Sequence, residues 1–228
     1  MNYFAHALAF LDGTEPDPCF VAGTAVPDWL VVADRQVRVR ARHVRPALGD
    51  PDPAVAALAR GILQHFLDDA RFHETRAFAE SSLALTAASR DALGEEPGLR
   101  PGFLGHLLVE LLLDAALIVE SPGRLDRYYG LLDAVDAAWV QAVVNRLAPR
   151  PTARLARMIC GFRRERILWD YLEDGKLLVR LNQVMRRVGL APLPERFRDV
   201  LPEARRLVAE RKAELLEGIP VPAKPLAA

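Results

Sequence analysis

Residues 103–119 read FLGHLLVELLLDAALIV. Every position is apolar or glycine except His106, Glu110 and Asp114. Those three are spaced four apart, so on an α-helix they form one line of side chains. A helix that is apolar all round is a buried helix. Carboxylates inside it are costly unless something pairs with them. The segment therefore predicts a core helix of an all-α protein, with a row of imidazole and carboxylate groups that asks for a cation.

Outward from this helix, helical periodicity dominates and no strand pattern is read. Helices are expected over 3–10, 53–80, 101–120, 123–147, 151–172, 174–189 and 195–216. Proline and glycine clusters punctuate them: Pro51-Asp52-Pro53, Glu95-Glu96-Pro97-Gly98, Ser121-Pro122-Gly123, Pro149-Arg150-Pro151 and Pro192-Leu193-Pro194. Residues 33–50, rich in Arg and Val, receive no assignment, and His43 among them is expected at the surface. The expectation is a single helical metal-binding domain over 1–219, a bundle of about seven helices, followed by a Pro/Ala-rich tail over 220–228.

Bulk properties narrow the function. Thirty Lys and Arg balance thirty Asp and Glu, so no electrostatic case exists for nucleic acid as a main partner. Cys19 and Cys160 do not make a disulfide framework. They fit a reducing compartment, and MNYFAHALAF lacks a basic region before an apolar run, so a cytoplasmic location is expected. Segment 103–119 is near the lower length limit for a membrane span, and its three ionisable groups argue instead for a bundle core. No span is expected.

A second line of ligand-type residues lies in GILQHFLDDARFHETRAF: His65, Asp69 and His73, again four apart. On a helical wheel Val55, Leu58, Ala59, Ile62, Leu63, Phe66 and Ala70 define the inward stripe. Asp69 and His73 fall within it and His65 at its edge, whereas Asp68 points away as an ordinary solvated acid. Residues eight apart on a helix are about 12 Å apart, too far for both histidines to bind one ion. The spacing suits two ions about 3.5–4 Å apart with the carboxylate between them. His6, on a mostly apolar helix, and Asp28, in a turn after Pro27, extend the inventory. It then holds His6, His65, His73 and His106 with Asp28, Asp69, Glu110 and Asp114. Four carboxylates balance two divalent cations, and mixed nitrogen and oxygen donors without thiolate suit zinc, manganese or iron. Two other readings stay open: a di-iron site that activates dioxygen, and a non-catalytic buried polar network that fixes helix register.

The opening Met-Asn-Tyr-Phe-Ala-His, the Gly-x-x-x-Pro-Asp element ending at Asp28, and Gly-x-x-x-His-x-x-x-Asp at Gly61–Asp69 resemble the acyl carrier protein phosphodiesterase family. Tyr171, Leu181-Asn182, Val184 and Arg187 add to the likeness. The resemblance implies a helical fold related to HD-domain hydrolases, metal dependence, and release of the phosphopantetheine arm from acyl carrier protein. The chain departs from that family where His73 replaces an expected Asp, and where His106-x-x-x-Glu110 replaces an Asp-His pair. In metal-site style it is similar to the zinc-dependent phospholipases C and single-strand nucleases, which are also all-α. Both resemblances imply phosphoester chemistry: a hydrolase, most of all a phosphodiesterase, using metal-activated water. Asp69 is then the central carboxylate, and Arg187 the arginine expected to close over the phosphate.

Overall fold

A computed structural model describes residues 1–12, 15–94, 98 and 100–220. The all-α expectation holds: among the described residues there are twelve α-helices, four 3-10 helices and no strand. The expected break at 95–98 lies outside the described residues but for Gly98, which has φ +84°. The expected tail beyond Pro220 also lies outside them.

The helices outnumber the expected seven because local caps cut the long periodic stretches. The expected helix 53–80 ends at Glu74 as α4 (Pro53–Glu74), and α5 (Arg76–Leu93) begins behind Thr75. The Thr75 hydroxyl accepts from the Phe78 amide, an N-cap bond that restarts the helix. Residues 123–147 become α7 (Pro122–Asp133) and α8 (Ala137–Leu147), the second capped by Asp136. Residues 151–172 become α9 (Leu155–Glu165) and a 3-10 turn over Ile167–Leu172, parted by Arg166 at φ 45°. Segment 174–189 forms α10 (Asp174–Arg187), and 195–216 forms a 3-10 turn, α11 (Leu201–Glu210) and α12 (Lys212–Leu215).

At the N-terminal end, α1 (Tyr3–Ala7) continues as a 3-10 turn over Leu8–Phe10. Next comes a helix the sequence reading passed over, α2 (Pro18–Ala33). Asp17 caps it by accepting from the Cys19 and Phe20 amides, and Pro18 occupies its first turn. Pro27 sits inside α2, so Asp28 is a helical residue and not part of a turn. After α2, Val37 and Val39 are buried while Arg35, Arg38 and Arg40 are exposed. This in-and-out alternation is that of extended chain. It leads into the short α3 (Ala41–Val44) and a 3-10 turn over Arg45–Gly49.

The described chain groups into two compact units. One contains Met1–Asn2, Arg71–Glu120 and Ile167–Ile219. Its centre is α6 (Pro101–Glu120), which packs against α5, α11 and the Ile167–Leu172 turn. By length and apolar composition α6 would also suit a membrane span. Here Leu104, Leu108, Leu112 and Ile118 are fully or almost fully buried by that packing. A Cβ at Gly105 would lie 2.2 Å from Thr86 Oγ1 and 2.4 Å from the Ser82 carbonyl, so only glycine lets α5 and α6 approach this closely.

The other unit contains Tyr3–Ala70 and Ser121–Arg166. Helix α2 is its hub, packing against α1, α7 and α9. Trp29, Tyr128, Tyr129 and Phe162 are buried together there, with Trp29 edge-on to Phe162 at 5.6 Å. Helices α2 and α4 meet at Gly23 and Gly61, where a Cβ on Gly61 would stand 2.1 Å from the Phe20 carbonyl. Gly61 lies one turn before His65, so this crossing sets the height at which His65 meets α2.

Candidate metal centre

The crossing of α2 and α4 brings Nδ1 of His65 to 2.8 Å from the Thr24 carbonyl oxygen. A carbonyl only accepts, so Nδ1 carries the proton and Nε2 keeps its lone pair. That lone pair faces Asp69, whose Oδ2 lies 3.5 Å away. His6 on α1 stacks on His65 with ring centroids 4.0 Å apart. His6 Nε2 lies 3.4 Å from Asp69 Oδ1, and its Nδ1 3.6 Å from Asp68 Oδ2. The ring is 1% exposed, and neither of its nitrogens makes a hydrogen bond. A buried imidazole with both nitrogens unsatisfied is costly by itself. An ion on Nε2 would remove half of that cost, and Asp68 would then hold Nδ1–H.

His6, His65 and Asp69 thus form one group of converging donor atoms, all within 4.8 Å of one another. A tetrahedral ion bonded at ~2.0–2.1 Å holds its ligands about 3.3–3.4 Å apart. Here each ring meets its own oxygen of Asp69, His6 Nε2 at 3.4 Å from Oδ1 and His65 Nε2 at 3.5 Å from Oδ2, so the donors stand slightly wider than that spacing and would draw in around an ion. Burial pushes the Asp69 carboxyl up, and the His6 and His65 rings, when their Nε2 atoms carry protons in place of an ion, more than offset it and hold the group well below the usual carboxylate range. Asp69 is therefore an anion ready to ligate.

The second group is His73, His106 and Glu110. His73 Nε2 and His106 Nε2 are 3.3 Å apart, and Glu110 Oε1 lies 3.3 Å from the first and 3.2 Å from the second. The two rings stack at 5.0 Å, and the edge of Phe78 meets each of them. Only one proton can sit between two facing imidazole nitrogens. A cation equidistant from all three atoms satisfies them at once. Burial raises the Glu110 carboxyl, but the Met1 amino group at 3.3 Å and both imidazoles pull it far below its ordinary value.

Six of the eight candidate ligands therefore fall into two triads, with Asp69 in the first and His73 in the second. Asp28 and Asp114 belong to neither. Asp114 is fully buried one turn beyond Glu110. Asp28, carried on α2 because that helix runs through Pro27, lines the mouth of a cavity with His65 and Asp69. Arg187 closes the last turn of α10 and makes no hydrogen bond or ion pair with His73, His106 or Glu110 among the described residues.

No family model, curated protein or solved structure matches the chain. Its chemistry has to be read from its own residues.

Asp68 is the main correction to the sequence reading. It is 1% exposed, while the Asp69 side chain keeps 34% of its surface. The helical wheel assumed a single inward stripe, but α1 covers a second side of α4 and places His6 between the two acids. Gln64 donates to Asp68 Oδ1 at 2.7 Å, fixing the carboxylate that faces His6. The Gln64–Asp68 pair is itself four apart, a signal present in the sequence. The cavity beside the triad holds about 260 Å³ and is lined by Asp28, Arg38, His65, Phe66 and Asp69 among others. Arg38 is its cation, from the stretch that received no assignment.

Proposed function

We propose that the chain is a metal-dependent phosphoester hydrolase that holds one divalent ion in each triad. One observation carries the reading: Nδ1 of His65 is held by the Thr24 carbonyl and Nδ1 of the buried His6 faces Asp68 at 3.6 Å, so both Nε2 atoms turn toward Asp69 beside an open cavity. Metal-ligating histidines characteristically have their other nitrogen held by a carbonyl or carboxylate. A network built only to fix helix register needs no such arrangement of lone pairs around one point.

A bound divalent ion supplies a water of lowered pKa and neutralises phosphoryl charge. The protein's own part is orientation. Thr24 holds the His65 ring, Asp68 faces the outer nitrogen of His6, and Asp69 stays ionised between the two rings. Arg38, at the cavity wall, offers a planar guanidinium suited to two phosphoryl oxygens. Phe66 gives the cavity an apolar side for the rest of the ester. The donor set of imidazole and carboxylate suits zinc, manganese or iron. The family resemblance makes a phosphopantetheine–serine phosphodiester the first substrate to try.

The test is metal content per chain by elemental analysis, then turnover of generic phosphodiesters and phosphomonoesters. Stoichiometric metal, with activity lost in Asp69→Ala, is the expected result. A metal-free protein with no stabilisation on adding zinc, manganese or iron ends the proposal. Stoichiometric iron with a charge-transfer band and no hydrolysis replaces it with oxygen chemistry.

A further inference from the structure

The balanced net charge hides a local excess. A second hollow of about 260 Å³ is lined by Arg35, Arg38, Arg40, Arg42 and Arg150, together with Gln36, His43 and Pro149. Several arginines elsewhere find carboxylates: Arg124 pairs with Asp12, Arg146 with Asp50, Arg180 with Asp170 and Arg205 with Asp174. Among the described residues none of the five arginines around the hollow forms an ion pair. Asp34 is the only acid between residues 33 and 49. It is already engaged, accepting from the Gln36 amide and the Thr152 hydroxyl.

The backbone enforces this clustering. Val37 and Val39 are buried, and the alternation of extended chain turns Arg38 and Arg40 to the opposite side. His43 adds a separate sign. Its Nε2 accepts from Arg42 Nε at 3.2 Å, so its Nδ1 carries the proton. That Nδ1 is buried and has no hydrogen-bond partner. The hollow thus offers five guanidinium groups, and no carboxylate among the described residues forms an ion pair with any of them. Its volume is below the ~300–1,000 Å³ of sites for drug-sized ligands, which favours a compact, highly charged group.

We propose that this arginine-ringed hollow binds a ligand carrying two or more linked phosphoryl groups. A single phosphate engages one or two guanidiniums in bidentate fashion, so five call for a longer anion. The site stands independently of the hydrolase reading, although Arg38 lines this hollow and the cavity at Asp69 alike.

Isothermal titration of inorganic pyrophosphate into the full chain at low salt tests it, with ADP and tripolyphosphate as parallel arms. The expected result is sub-millimolar binding that weakens as salt rises. The Arg35→Ala/Arg150→Ala double variant should bind about tenfold more weakly or worse. Arg206→Ala, which removes an ion-paired arginine elsewhere, should bind as the parent does. Circular dichroism verifies that the double variant is folded, and Arg35→Gln/Arg150→Gln repeats the test with less change in side-chain volume. Tighter ADP binding assigns the site to a nucleotide tail, and tighter tripolyphosphate binding assigns it to an inorganic chain; both support the proposal. No pyrophosphate binding by the parent, equal binding by both double variants, or binding of a single-stranded oligonucleotide alone overturns it. Loss of binding in Asp69→Ala but not in the double variants moves the anion to the metal triad and also overturns it. Failure of the hydrolase reading looks different: metal content and turnover are then unaffected by Asp69→Ala while these constants keep their pattern.

Discussion

His6 Nδ1 and Asp68 Oδ2 face each other across 3.6 Å, both almost fully buried, while the opposite nitrogen of the same ring faces Asp69 at 3.4 Å. The imidazole is held between two consecutive carboxylates with different tasks. Asp69 converges on the ligand point with His65. Asp68 is withdrawn from it and is positioned by Gln64.

Asp68→Asn should therefore weaken metal binding without removing a ligand. Loss of a carboxylate behind a ligating histidine typically costs about 10–100-fold in affinity. Chelator competition measures it, and turnover should recover substantially at saturating metal. An unchanged metal affinity would show that His6 does not depend on Asp68 for its orientation.

Gly61→Ala should destabilise the fold and loosen the first triad together. The new methyl would meet the Phe20 carbonyl, a backbone group that cannot swing aside, so α2 and α4 must part. Overpacking of this kind costs about 1–3 kcal/mol or more. For a chain of this size each kcal/mol lowers Tm by roughly 2–4 °C. Because the same crossing seats His65 against Thr24, metal affinity should fall in parallel. Gly49→Ala, where an added Cβ meets nothing within 4 Å, is the control with little expected effect.

Much of this centre was legible as period-four spacing. His65, Asp69, His106 and Glu110 declare themselves because a helix makes every fourth residue a neighbour, and because 103–119 is otherwise apolar. What the spacing could not carry was contact between distant segments. Asp68 looked solvated because the cover supplied by His6 comes from another helix. Asp28 was expected in a turn because Pro27 was read as a break, whereas Asp17 and Pro18 had already started a helix that tolerates it. The alternation at Val37, Arg38, Val39 and Arg40 is short and has no partner strand, so it did not register as structure, and the cavity's arginine went unnamed.

The two triads should load separately. Wild-type protein is expected to carry two ions per chain by elemental analysis, while Asp69→Ala and His106→Ala each retain about one. Each variant removes a donor from one triad only. Adding metal to chelator-treated protein should raise Tm in proportion to the logarithm of free metal, as expected for a ligand that binds only the folded state. Loss of all metal from either single variant would show that neither triad binds an ion alone.

Arg38→Ala should lower kcat/KM toward phosphoesters with metal content unchanged. The guanidinium lines the cavity that His65 and Asp69 also line, and it belongs to neither triad. A hydrogen bond to a charged group contributes about 1.5–3 kcal/mol, which corresponds to roughly a 10–150-fold loss. Arg38→Lys should recover only part of it, since an ammonium cannot reproduce the bidentate geometry. If the loss lies wholly in KM, Arg38 binds the ground state and the transition state equally; if kcat falls as well, its contacts strengthen as charge develops on the phosphoryl oxygens. Arg187→Ala serves as the comparison, because Arg187 was the arginine expected over the phosphate. Should Arg187→Ala impair turnover while Arg38→Ala leaves it intact, the assignment of the cavity cation to Arg38 is wrong.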